Sequence, residues 1–163
     1  MRSKDAIRTR RLTLTPLTVD DAAGMVAVLS DPALYTFTGG EPPTLTELKE
    51  RYRYQSAGGP GPEEVWYNWI LRLDGDAIGF VQATVTGDLA DVAWVVGAPW
   101  QGHGYASEAS TAMRDWLLQR GVTRFSAHIH PEHAASNGVA RSLGLTASGE
   151  RDADGGMIWM TRE

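Results

Sequence analysis

Apolar positions along the chain switch between a period of two and a period near 3.6 in a readable order. In "RLTLTPL" Leu12, Leu14 and Leu17 alternate with polar residues around Thr13 and Thr15, which predicts a short strand. Thr18 and Asp21 then mark a helix start, a hydroxyl for a free N–H and an acid for the positive end. Ala22, Met25, Val26 and Leu29 follow at helical spacing until "SDP". Thr44-Leu-Thr-Glu47 has the form of a capping box, with Leu45, Leu48 and Tyr52 on one apolar side. Gln55 to Glu64, "QSAGGPGPEE", reads as a mobile surface loop.

Two β-rich runs, "VWYNWILRL" and "AIGFVQATV", flank Asp74-Gly75 and predict a hairpin. After the turn "TGD" comes a strand, "LADVAWVVGAP". "YASEASTAMRDWLLQRG" is a helix with Tyr105, Ala109, Ala112, Met113 and Trp116 on one face and Gly121 as its stop. "RFSAHIH" places Phe125, Ala127 and Ile129 on one strand face. A short helix over roughly Pro131 to Leu143 ends at Gly144, and "LTASGERDADGGMIWMTRE" supplies two last strands around a turn. The order is β-α-α-β-β-β-α-β-α-β-β. Three hairpin-joined strands and then a crossover helix imply an α/β (α+β) fold, a mixed sheet with helices on its faces. A single domain over residues 1–163 is expected.

Composition narrows the chemistry. A net charge of −5 sets a nucleic-acid backbone aside as the main partner and is compatible with an amine-bearing one. The absence of cysteine excludes disulfides, thiolate nucleophiles and Cys-based metal centres. "MRSKDAIRTRRLTLT" is basic but lacks a signal-peptide core, and no apolar run approaches a membrane span, so a cytoplasmic location is expected.

The densest chemistry lies in "VAWVVGAPWQGHGYASEAS", Val92 to Ser110. An apolar strand ends at Gly97 and Pro99, and Gly102 and Gly104 sit where a helix begins. Glycine permits positive φ and close approach of a ligand to backbone. The unpaired N–H groups of a first helical turn, with their partial positive charge, suit phosphate. No Lys-Ser/Thr pair follows, so a nucleoside-triphosphate P-loop is excluded. By itself the spacing also fits a plain glycine-rich turn.

The segment Gln101-Gly-His-Gly104-Tyr-Ala106 resembles the Gln/Arg-x-x-Gly-x-Gly/Ala signature of the GNAT superfamily of N-acyltransferases. "RTRRLTLTPLTVDDAAGMVAVLSDP", "AIGFVQ", "GYASEA" and "ARSLGL" look like further landmarks, in order, of its branch acting on ribosomal-protein N-termini. The resemblance implies a mostly antiparallel sheet of about six or seven strands, splayed between the fourth and fifth, with helices on both faces. It implies acetyl-CoA as cosubstrate, its pyrophosphate on Gln101, Gly102, His103, Gly104, Tyr105 and Ala106, and its pantetheine arm beside Val95 and Val96. The family strand at Val95 and Val96 carries a bulge. A second family segment, Asn-x-x-Ser, reads His133-Ala-Ala-Ser136 here, so His133 stands where an asparagine is usual and Ser136 matches. Ala140 occupies the place of a tyrosine that many relatives use to protonate the leaving thiolate.

Transfer of acetyl to an amine needs a neutral amine, and therefore a proton acceptor near neutral pH. Asp91 is a candidate base or ammonium anchor; a solvated turn residue is the alternative. His130, at the end of its strand, is a candidate base or proton relay, and Ser136 a candidate proton donor. "HIHPEH" has no second ligand cluster beside it, so no metal is expected. Glu63 and Glu64 fit solvation better than amine attraction. Trp66, Trp69, Trp94 and Trp100 fit either core or pocket wall. The expected activity is acetyl transfer from acetyl-CoA to a primary amine, on a protein N-terminus or a small molecule, by direct attack in a ternary complex. A catalytically weak acyl-CoA-binding sensor or scaffold is the alternative. No membrane partner is expected; a homodimer could form through the last hairpin's edge, "MIWMT".

Overall fold

Asp74 and Gly75 both take positive φ, 51° and 90°, as a two-residue hairpin turn requires. They join β3 (Val65–Leu73) to β4 (Asp76–Thr86), the centre of the sheet. In the computed structural model residues 5–161 are described, so residues 1–4 and 162–163 of the expected domain lie outside, as does the start of the basic opening stretch. The remaining elements are β1 (Ile7–Arg8), β2 (Thr13–Pro16), α1 (Ala22–Val28), α2 (Leu45–Gln55), β5 (Leu89–Val96), α3 (Tyr105–Leu118), β6 (Arg124–Ile129), α4 (Ala134–Ser142), β7 (Leu145–Arg151) and β8 (Met157–Thr161).

Among the described residues one sheet of eight strands runs β1-β2-β3-β4-β5-β6-β8-β7. It is antiparallel except where β5 meets β6. The strand beyond the expected seven is β1, whose two residues pair Ile7 with Leu14 and Arg8 with Thr13. Two residues carry no periodicity to read. The sheet order also corrects the expected dimer edge. β8, "MIWMT", is bonded to β6 on one side and β7 on the other, so β7, not β8, is the edge at that end of the sheet.

Strand alternation feeds two apolar layers. Trp69, Leu71, Val81, Val92 and Val96 pack with Ala109, Met113, Trp116 and Ala140 of α3 and α4. Ile70, on the opposite face, packs with Ala22, Met25, Leu48 and Tyr52 of α1 and α2, joined by Phe80 and Val95. A β-bulge resets the alternation in β4: Leu71 opposes Gly79 and Arg72 opposes Ala77, leaving Ile78 as the extra residue. The implied bulge at Val95 and Val96 is absent from the β4–β5 ladder, which runs unbroken from Thr86–Leu89 to Gly79–Val96.

Local signals act as the sequence suggests, with two adjustments. Glu47 and Thr44 close a capping box, Thr44 N–H to Glu47 Oε1 at 2.9 Å and Glu47 N–H to Thr44 Oγ1 at 3.2 Å. At α1 the acid does the capping: Asp21 Oδ2 accepts the Thr18 N–H at 2.8 Å and a 3₁₀ turn precedes the helix. Leu45, expected on the apolar side of α2, is exposed, whereas Leu48 and Tyr52 are buried. No helix among the described residues is long and apolar enough to cross a membrane.

Candidate active site

β5 and β6 pair in parallel only at Leu89–Arg124, Ala90–Phe125 and Asp91–Ser126. Beyond Asp91 they part, and among the described residues the edge of β5 facing β6 has no strand partner from Val92 to Val96. A cleft of ≈ 680 Å³ occupies the splay. It reaches from Gly102 and Gly104 at one end to His128, Asp152 and Asp154 at the other. Val95 and Val96 form part of its wall, with Trp94 and Trp100. Trp69 is instead core, and Trp66 donates its Nε1–H to Glu64 Oε2 at 2.8 Å, which also accounts for Glu64.

The glycine end is built for unclaimed N–H groups. After β5 the chain makes a 3₁₀ turn, Ala98–Trp100, and Gln101 donates its Nε2–H back to the Val96 carbonyl at 3.0 Å. Gly102 and Gly104 both have φ of 81°, a left-handed backbone that strains other residues. Gly104 is the N-cap of α3, and no side chain caps that helix. Its first-turn N–H groups are therefore free for an anion, and Tyr105, Ala106 and Ser107 line the cleft with the two glycines. His103 is exposed and lies outside that lining.

Arg11, from the β1–β2 turn, stands beside this end. Its guanidinium lies 4.5 Å over the Tyr105 ring and pairs with Glu108 Oε1 at 2.7 Å.

Across the cleft the start of α4 gathers four rings and a hydroxyl. Trp94 donates its Nε1–H to Ser136 Oγ at 3.2 Å, and His133 Nε2 lies 3.1 Å from the same oxygen. His133 caps α4: its Nδ1 accepts the Ser136 N–H at 3.4 Å. A neutral His133 therefore carries its proton on Nε2 and gives it to Ser136 Oγ. With two donors on Oγ, the serine's own proton is free to be donated elsewhere. Burial, and then His130, holds the His133 pKa below the ordinary imidazole value. Phe37 stacks on His133 at 4.6 Å and tilts against His130 at 5.0 Å. His130 Nδ1 accepts the Glu132 N–H at 3.1 Å, so a neutral His130 is a donor through Nε2.

Asp91 sits at the fork, as the last residue of β5 paired with β6. Its Oδ1 accepts from Ser126 Oγ at 2.8 Å and lies 3.5 Å from His128 Nε2. Among the described residues no group of three or more His, Asp or Glu side chains is arranged to hold a metal ion.

The model of the acetyltransferase (GNAT) domain matches residues 11–146, most of the chain. The chain belongs to the GNAT acetyltransferase family. Solved GNAT structures share its fold at low identity. The ribosomal L7/L12 α-N-protein acetyltransferase RimL, in complex with coenzyme A, is 17% identical, covers 96% of this chain and 97% of its own, and has a TM-score of 0.84. RimJ of Mycobacterium smegmatis, in complex with CoA-disulfide, is 18% identical over 96% of this chain and 87% of its own, with a TM-score of 0.83. The microcin C7 self-immunity acetyltransferase MccE, in complex with acetyl-CoA and AMP, is 14% identical over 94% and 93%, with a TM-score of 0.79. No curated protein matches the sequence.

Within this GNAT frame the structure brings together Val95, Val96, Gly102, Gly104, Tyr105, Ala106, His130, His133 and Ser136 around one cleft, with Asp91 at the fork of its walls. Arg11, Phe37, His128 and Asp152 join the site with no local sequence signal for that role. The position of Arg11 at the glycine end follows a turn of only a few residues, and "RDADGG" carries turn chemistry that hides the contact of Asp152 with His128.

Proposed function

We propose that the protein is an acetyl-CoA-dependent N-acetyltransferase, acting on a primary amine of a protein N-terminus or small molecule by direct attack in a ternary complex. The splay carries this reading: one cleft joins a glycine-built anion cradle to an end lined by carboxylates and imidazoles. Acetyl-CoA fits the residues present. Its pyrophosphate meets Gln101, Gly102, Gly104, Tyr105 and Ala106, with His103 at the rim, and its arm follows the unpartnered edge at Val95 and Val96 beside His133 and Ser136. The Val96 carbonyl is shared with Gln101, so the arm pairs chiefly through its neighbours.

The chemistry divides between the two ends. Asp91 anchors the acceptor ammonium, His130 acts as proton relay through its Nε2–H, and Ser136 donates its unengaged proton to the thiolate as the C–S bond breaks. Backbone N–H groups of β5 serve the developing oxyanion. The relatives named above, RimL and RimJ among them, support a protein or small amine as acceptor. On this reading residues 1–163 form one such domain in a cytoplasmic enzyme without metal, and any homodimer contact lies on β7, the edge of the last hairpin.

One observation favours a second reading, an acyl-CoA-binding sensor of the same fold. Ala140 is fully buried where many GNAT enzymes have a tyrosine hydroxyl. A turnover screen decides. Coenzyme A release is measured with acetyl-CoA and N-terminal peptides, polyamines, amino acids or aminoglycosides. Saturable, amine-dependent release is expected. Acetyl-CoA binding with no turnover on any acceptor retires the enzyme reading in favour of the sensor.

A further inference from the structure

His128, on the solvent-facing side of β6, is held between two carboxylates from different elements. Its Nδ1 lies 3.0 Å from Asp152 Oδ2, in the β7–β8 turn, and its Nε2 lies 3.5 Å from Asp91 Oδ1 on β5. Asp152 is itself fixed. Its Oδ1 accepts the N–H of Gly156 at 2.7 Å and of Asp154 at 2.9 Å. A Cβ on Gly156 would fall 2.6 Å from Asp152 Oδ2, so glycine at that position is what lets the carboxylate pack there. The hydrogen bonds from His128 and then from the Gly156 N–H lower the Asp152 pKa, which keeps it an anion and an acceptor at neutral pH.

A tautomer follows from this. An anionic Asp152 can only accept, so His128 Nδ1 carries the proton and a neutral ring presents its lone pair at Nε2. That lone pair faces Asp91 Oδ1, which already accepts from Ser126 Oγ at 2.8 Å and has a second lone pair to offer, at a separation too long for a strong hydrogen bond. Side by side, the two atoms can both accept from a single nitrogen that carries more than one N–H. A protonated primary amine supplies two N–H groups from one nitrogen. His128 and Asp152 line the same cleft as Ser136 and the glycine cradle. The charged and titratable groups around His128 are Asp91 from β5, Asp152 from the β7–β8 turn, Asp154 of that turn along the cleft, and His130 on its own strand. The Nδ1 lone pair of His130 is already taken by Glu132.

Resting on the amine-acetylation reading, we infer that the acceptor ammonium binds between Asp91 Oδ1 and His128 Nε2, that His128 is the base that deprotonates it, and that Asp152 is the residue positioning that base. The ammonium gives one proton to His128 Nε2. The free amine attacks the thioester carbonyl, the new C–N bond forms, and the C–S bond breaks with its electron pair going to sulfur. The nitrogen loses a second proton as the amide forms, the thiolate takes up one, and one proton passes to solvent. The resulting imidazolium is flanked by both carboxylates.

His128→Gln and Asp152→Asn test this with the amine that the wild type turns over best. His128→Gln is expected to lower kcat roughly 100-fold or more, with acetyl-CoA affinity unchanged. Asp152→Asn is expected to lower kcat with a smaller change in KM. An active wild type beside a His128→Gln variant within threefold of its kcat overturns the assignment. Imidazole ¹⁵N spectra give a readout free of turnover: the Nδ1–H tautomer is expected in the wild type, and a dominant Nε2–H tautomer overturns the proposal. If the wild type acetylates nothing, the transfer reading fails separately. A His128 Nε2 resonance that still moves on adding a screened amine then supports the binding site, and one unmoved by every amine overturns it.

Discussion

Arg11 and Glu108 lie 97 residues apart and join the first turn of the chain to the first turn of α3. Arg11 uses both its Nε, at 2.7 Å to Glu108 Oε1, and its backbone N–H, at 2.9 Å to Oε2. The Thr9 hydroxyl bonds Glu108 Oε2 as well. Burial raises the Glu108 pKa, and the Thr9 and Arg11 hydrogen bonds outweigh it, leaving the pKa below the usual value. Glu108→Ala leaves the Arg11 charge and two donors without their acceptor beside the cradle. It is expected to cost about 1–2 kcal/mol of stability, since charge-assisted bonds to a half-buried carboxylate exceed an exposed pair. Urea unfolding checks this, and a midpoint equal to wild type rejects the link as a stabilising one.

Gly104 carries a conformational demand and a proposed ligand. Gly104→Val puts a β-branched residue at φ 81°, at a cost of roughly 1–2 kcal/mol. It also sets a side chain beside the N–H groups that would meet pyrophosphate, so acetyl-CoA affinity should fall at least about tenfold, or ~1.4 kcal/mol. Gly121→Val separates the two effects: φ is 92° and nothing lies within 4 Å of its Cβ. That variant should share the stability loss and keep the affinity. Calorimetric titration of both folded variants decides, and equal affinities for acetyl-CoA would remove the cradle assignment.

The parts of this site that were legible share one property: their signal is local. Asp74-Gly75 must turn, Gly102 and Gly104 must precede a helix, and alternation places Val95 and Val96 on opposite layers. What escaped depends on contacts between distant segments. The insertion of β8 beside β6 decides which edge is open, yet "MIWMT" reads the same at an edge or inside. The bulge at Ile78 shifts faces by one residue without any breaker in β4 beyond Gly79. Asp152 reaches His128 across 24 residues because the turn holding it folds back over β6.

Ser136 is the oxygen on which Trp94 and His133 converge. Ser136→Ala leaves both N–H groups without their acceptor and removes the proton donor proposed for the thiolate. Its kcat is expected to fall by about 10- to 100-fold, in line with loss of one general acid, with acetyl-CoA affinity changing less. His133→Asn can restore an amide donor to the same place and should retain activity. A coenzyme with a better leaving thiol lessens the need for the acid and should narrow the Ser136→Ala defect. A defect of equal size with both thioesters would show that Ser136 only positions the arm.

Acid should destabilise the protein in two steps, and the signs agree. His133 has a folded-state pKa below its unfolded value, from burial first and then His130. Above about pH 6.5 both states are neutral and its packing on Phe37 and Ser136 is intact; as pH falls below that value the unfolded state takes up the proton first, and stability is lost. The carboxylates of Glu47, Asp88, Glu108 and Asp152 also have lowered pKa values. Their contribution is present above the unfolded value of about 4 and is lost as pH falls through each folded value. His133→Asn has no group titrating at that position, so its Tm difference from wild type should be constant well above about pH 6.5 and drift as pH falls below it, while Glu108→Gln should alter only the lower step. Thermal unfolding on both sides of that pH is the measurement. A difference between His133→Asn and wild type that stays constant as pH falls below it would mean that His133 titrates alike in the folded and unfolded chains.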